Sequence, residues 1–129
     1  MRFGRQADRG RCRILALVVQ VGRGLARQAR AYGARVVEVY SPNATWGRVV
    51  EATRGANLVI YLGHGNGWPS PYGPYQPYTK NGLGLNARAG DGHRNVTYKG
   101  EHYVRSRMQL ARNAVVLLNH LCYASGNAE

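Results

Sequence analysis

Four short apolar runs constrain this chain more than anything else in it: ILALVVQ at 14–20, RVVEVY at 35–40, NLVIYL at 57–62 and AVVLLN at 114–119. Each has the length of a strand. Three are almost unbroken in their apolar character, the mark of strands covered on both faces, and the second is rich in β-branched residues. Helix-like periodicity fills the gaps between the first three. The order is strand, helix, strand, helix, strand, long crossover, strand. That order predicts an α/β fold, a parallel sheet of about four strands flanked by helices.

The intervening segments carry their own signals. In 22–32, Leu25, Ala29 and Tyr32 fall on one helix face and Arg23, Arg27 and Arg30 on another, with Gly33 placed to end the helix. Ser41-Pro42-Asn43 is turn chemistry that supplies an N-cap for a second helix. Trp46, Val49, Val50 and Thr53 make that helix's apolar stripe, and Gly55 closes it. A third short helix is expected over 101–112, with Val104, Met108 and Ala111 on one face. Residues 63–100 break the pattern. They hold nine of the 17 glycines, four of the five prolines, and Trp68, Tyr72, Tyr75 and Tyr78. This stretch reads as a long Gly/Pro/Tyr-rich loop, and loops of that length in compact domains usually serve function. No internal repeat and no second domain is evident.

Composition narrows the classes. A chain of 129 residues with 44% hydrophobic residues fits one domain with an ordinary core. No apolar run approaches the roughly 18–20 residues of a membrane span. Two cysteines do not staple a mini-protein. The net charge of +12 is uneven, and sixteen of the 18 basic residues are Arg. Residues 1–35 carry +8 and residues 36–129 carry +4. Residues 1–13 read as a disordered Arg-rich arm and 14–129 as the folded α/β domain. No basic run interleaved with aromatics and no finger, zipper or RNA-motif pattern supports nucleic acid as the partner. The basic start followed by an apolar stretch to Val21 also matches a signal peptide, the rival to a first strand.

In open parallel sheets, functional groups gather beyond the carboxyl ends of the strands. The third run leads into Gly63-His64-Gly65-Asn66-Gly67 and the fourth into His120-Leu121-Cys122. If the two strands are neighbours, His64 and Cys122 project from one edge of the sheet, an imidazole beside a thiol. Cys122 is then the nucleophile, because the thiolate is the reactive form. His64 favours the thiolate and protonates the leaving group. Backbone N–H groups of Gly65 and Cys122 are candidates for the oxyanion. Asn66, Trp68, Tyr72 and His120 are candidates for the surrounding substrate cleft.

These two segments, Leu58-Val59-Ile60-Tyr61-Leu62-Gly63-His64-Gly65 and Ala114-Val115-Val116-Leu117-Leu118-Asn119-His120-Leu121-Cys122, resemble the caspase-like (clan CD) cysteine peptidases. The shared signature is a hydrophobic strand before His-Gly and a second one ending in the catalytic Cys. The resemblance covers roughly 25–129, and VVEVYSPNATW and YLGHGNGWPSPY look like a bacterial branch of the group. It implies a caspase-like sheet of flavodoxin-like order, a His64/Cys122 dyad, a peptide or protein substrate and no cofactor. It leans toward a secreted or cell-surface setting and leaves a cytoplasmic one open. The sequence departs from the family in having His120 two positions before Cys122, and Cys122-Tyr123-Ala124-Ser125-Gly126 with one extra residue before Ser-Gly. Because the family shapes its specificity pocket with later strands, the resemblance also implies a truncated copy, the front part of a larger domain, and leaves open whether that copy is active or inactive.

Three other readings compete. His64, His120 and Cys122 form a conceivable three-ligand zinc site, although no usual metal spacing accompanies them. Pairing of Cys12 with Cys122 is left open. The aromatic stretch 68–78 could stack sugars or peptides in a non-catalytic binding module, or pack the loop onto the domain.

Overall fold

The computed structural model describes residues 13–18, 23–66, 77–91, 96–119 and 122, with the backbone alone described for 13–18. The elements are β1 (Arg13–Val18), α1 (Arg23–Ala31), β2 (Arg35–Tyr40), α2 (Trp46–Thr53), β3 (Leu58–Leu62), β4 (Gly65–Asn66), β5 (Gly82–Asn86), β6 (Val96–Lys99), α3 (Glu101–Arg107) and β7 (Val115–Asn119). The molecule is mixed α/β, with a parallel sheet and a smaller antiparallel one. Residues 1–12 of the expected arm lie outside the described residues, and Arg13 opens β1.

The parallel sheet runs β2-β1-β3-β7. Arg13 lies opposite Arg35, Ile14 opposite Leu58, and Leu58 opposite Val115. The chain steps from β1 outward to β2 and then crosses back over β1 to β3. Right-handed crossovers that reverse direction put their helices on opposite faces. Side-chain alternation agrees. Glu38 meets Arg30 of α1, whereas Val37 and Val39 join the core cluster with Val49 and Ala52 of α2.

The larger core lies on the α2 face. Val39, Ala44, Val49, Ala52, Ala56, Val59, Tyr61, Leu83 and Leu85 are buried together, with Trp46, Val104 and Leu110 packed against them. Of the α2 stripe expected from the sequence, Trp46, Val49 and Thr53 face inward, and Ala52 rather than Val50 is buried beside them. Thr53 satisfies its buried hydroxyl by sharing its proton between the carbonyls of Val49 (2.8 Å) and Val50 (3.2 Å), four and three residues back along α2.

Several expectations change. Residues 63–100 are not one long loop, because β4, β5 and β6 form an antiparallel sheet in that order. Gly65 pairs with Leu83, and Leu83 with Lys99. All five residues of β5, Gly-Leu-Gly-Leu-Asn, are buried. The glycines hid a strand by leaving only Leu83 and Leu85 to show its alternation. Asn86 locks this sheet to the β2–α2 connection. Its side-chain oxygen accepts from the Ala44 main-chain amide (3.0 Å), and its main-chain amide donates to the Ala44 carbonyl (2.9 Å).

The turn at 77–81 then folds onto the β6–α3 junction. Gly100 donates to the Tyr78 carbonyl at 2.8 Å, and a Cβ at Gly100 would stand 2.5 Å from that oxygen. Only glycine allows the two backbones so close.

Smaller corrections follow the same logic. The buried residue of α1 is Ala26, one position round from the expected stripe, while Tyr32 is 83% exposed. The N-cap of α2 is Thr45, not Ser41-Pro42-Asn43, and its side chain makes no capping bond. α3 stops at Arg107, because Met108 turns extended and Leu110 rather than Ala111 reaches the core. Gly33 and Gly55 do follow α1 and α2 with left-handed φ of 83° and 68°.

Candidate functional site

The two strand ends singled out in the sequence are neighbours. β3 pairs with β7 in parallel register, Leu62 opposite Asn119. The Gly63 amide carries the contact one step further, donating to the Asn119 carbonyl at 3.4 Å. His64 stands two residues past the end of β3 and is exposed. Cys122 stands three residues past the end of β7, in a turn, as an exposed free thiol. Both residues thus follow the carboxyl ends of paired neighbouring strands.

The His64 segment is held from below. Tyr61, on the core face of β3, is 1% exposed. Its hydroxyl lies 2.8 Å from the carbonyl oxygen of His64 and 2.8 Å from that of Gly84, donating its one proton to the pair. Burial pushes this phenol well above its usual range, so it is neutral and a donor. The Gly84 amide also donates to the His64 carbonyl, at 2.8 Å. That bond makes Gly65 and Leu83 a non-hydrogen-bonded pair of the antiparallel ladder. The Gly65 N–H is therefore turned away from β5.

The other candidates separate. The Asn66 side-chain amide donates to the Thr79 carbonyl at 3.2 Å, which ties β4 to the following turn. Trp68, Tyr72 and His120 lie outside the described residues, as does Cys12. Of the aromatic stretch, Tyr78 is described. Its ring packs edge-on against His102 (5.0 Å between centroids) and tilted against Tyr103 (5.9 Å), which fastens the turn to α3. Among the described residues, no cluster of three His, Cys, Asp or Glu side chains could hold a metal. None of the helices described is long and apolar enough to cross a membrane. An open groove of about 310 Å³ between β2 and α2, lined by Val37, Val39, Arg48 and Glu51 among others, includes none of the candidate residues.

Sequence reasoning missed Tyr61 and Gly84. A faint signal existed: Tyr61 places a hydroxyl in an otherwise aliphatic buried strand, and such a group needs a partner. The partner carbonyls lie three and 23 residues further along the chain. No family model, no characterised protein and no solved structure matches this chain.

Proposed function

We propose that this chain is a caspase-like cysteine peptidase domain in which Cys122 is the nucleophile and His64 the acid–base partner. The observation that carries the reading is the parallel pairing of β3 with β7, in register up to Leu62 and Asn119. The strand order β2-β1-β3-β7 supports it, being the flavodoxin-like order with the ligand edge at the carboxyl ends of the central strands.

The chemistry follows from the groups. The Cys122 thiolate attacks the scissile carbonyl carbon, forming a C–S bond and moving the π electrons onto oxygen. The N–H groups of Gly65 and Cys122 receive that charge. Collapse breaks the C–N bond, and the leaving amine takes its proton from the His64 imidazolium. Neutral His64 then takes a proton from water, whose oxygen displaces the thioester sulfur. The products are a carboxylic acid and the regenerated thiol.

The test is covalent labelling of the full chain with a peptide electrophile directed at thiols, with Cys12 replaced by Ser so that one thiol remains. Labelling should vanish in Cys122→Ala and slow in His64→Ala. Equal labelling rates in the parent and in His64→Ala remove the dyad.

A further inference from the structure

We propose that Tyr61 is the positioning residue of this site: its hydroxyl, together with the Gly84 amide, clamps the main-chain oxygen of His64 and so aims the imidazole. The inference rests on the His64/Cys122 reading and adds to it the device that orders the base.

The need for such a device is visible in the chain. His64 sits between Gly63 and Gly65. Flanking glycines leave a residue with more accessible backbone conformations than any other neighbours would. They suit close approach by a substrate, and they do nothing to fix the direction of the imidazole. An exposed acid–base group that wanders loses most of its value, because proton transfer needs hydrogen-bond geometry. Something else must hold the segment.

The clamp does so from two elements. The His64 carbonyl accepts from the Gly84 amide and shares the single Tyr61 hydroxyl proton with the Gly84 carbonyl, each contact at 2.8 Å. The plane of the peptide that follows His64 is thereby held from two elements. Tyr61 cannot move in response, being packed in the core with Val59, Leu83 and Leu85. Gly84 is shaped for the contact as well. A Cβ there would lie 3.0 Å from the His64 oxygen, 3.1 Å from the His64 Cβ and 3.2 Å from the Tyr98 ring. The antiparallel sheet thereby acquires a role: β5 presents Gly84 to the end of β3. A phenylalanine at 61 would fill the core equally well and would leave the Gly84 carbonyl without its hydroxyl partner.

The experiment measures the rate of Cys122 alkylation by iodoacetamide between about pH 6 and about pH 10. It uses the full chain carrying Cys12→Ser, in the parent, His64→Ala, Tyr61→Phe and Val59→Ala forms. His64→Ala and Tyr61→Phe should each slow alkylation near pH 7 by roughly tenfold and leave it unchanged near pH 10, where a thiol ionises unaided. Val59→Ala cuts the same face of the same strand without touching His64, and it should keep the parent profile. A His64→Ala profile equal to the parent overturns the dyad reading itself. A shifted His64→Ala with an unshifted Tyr61→Phe overturns the clamp and leaves the dyad standing. Equal shifts in Val59→Ala and Tyr61→Phe overturn it too, because any loosening of β3 would then suffice. If Tyr61→Phe does not fold, as judged by circular dichroism, Gly84→Ala tests the clamp from the other side with the hydroxyl in place. An unchanged profile there rejects it.

Discussion

The two strands that meet at the candidate site are built differently. β3 is central, with Val59, Ile60 and Tyr61 all buried, and its continuation is tied to β5 through the His64 carbonyl. β7 is an edge strand whose four apolar residues, Val115 to Leu118, are 36% to 53% exposed. Among the described residues, the ladder with β3 is the principal contact holding it. The proposed base therefore stands on a packed platform and the proposed nucleophile on a bare strand. Pre-organisation is concentrated on one partner, and the other is positioned by borrowing its neighbour's register.

The sharpest way to break this comparison is to truncate each strand in turn. Tyr61→Ala removes a fully buried aromatic ring and two hydrogen-bond contacts, and should cost about 4 kcal/mol in urea denaturation. Leu117→Ala, at 45% exposure, should cost about 1 kcal/mol or less. Equal losses would mean that β7 is covered as well as β3 is. Next in size is Asn86→Ala, which strips the Ala44 amide of its buried acceptor and should cost about 2 kcal/mol. It acts on the platform side alone, since Asn86 ties β5 to the β2–α2 connection. A cost near zero would show that β5 supports β3 without that tie.

How much of this was legible in the sequence depends on the range of the forces involved. α2 is legible because Trp46, Val49, Val50 and Thr53 recur at helical spacing, and β2 because three of its six residues are valine. These are local signals. The positions of His64 and Cys122 after apolar runs were equally local. The adjacency of β3 and β7 was a conjecture, since strand pairing is a tertiary event. β5 is hard to read because glycines occupy two of its five positions, and β4 because two residues carry no period at all. The Tyr61 clamp was illegible for the same reason, as Gly84 lies 23 residues away. In α1, the stripe through Leu25 and Tyr32 was misread because small Ala26 packs closer to the sheet than the larger residues beside it.

Edge position by itself does not explain the bareness of β7, and β2 is the control. It is the other edge of the same sheet, yet Val39 is buried and Glu38 is tied to its surroundings. Amide hydrogen exchange should therefore order the strands β3, β2, β7 from slow to fast, with β7 at least about tenfold faster than β3. If β2 exchanged as fast as β7, being an edge would be the whole cause.

The smallest expected effect lies at that β2 tether. Glu38 accepts from Tyr40 and pairs with Arg30 at 2.8 Å, and these two contacts hold its carboxyl below the usual glutamate range. Burial and the neighbouring carboxylate push the Tyr40 hydroxyl up to about 12, so it remains a donor throughout. A depressed carboxylate pKa contributes stability above the unfolded value, 4.5, and that contribution disappears as the pH falls through the folded one. Arg30 is half exposed, so solvent screening limits the gain to a few tenths of a kcal/mol. Glu38→Gln should accordingly be slightly less stable than the parent near neutral pH, and the gap should close on acidification below about 4.5. A gap that persisted into acid would assign the tether to hydrogen bonding by the neutral carboxyl rather than to its charge, since Gln keeps the same side-chain stem. The contrast between β2 and β7 would then owe nothing to ion pairing.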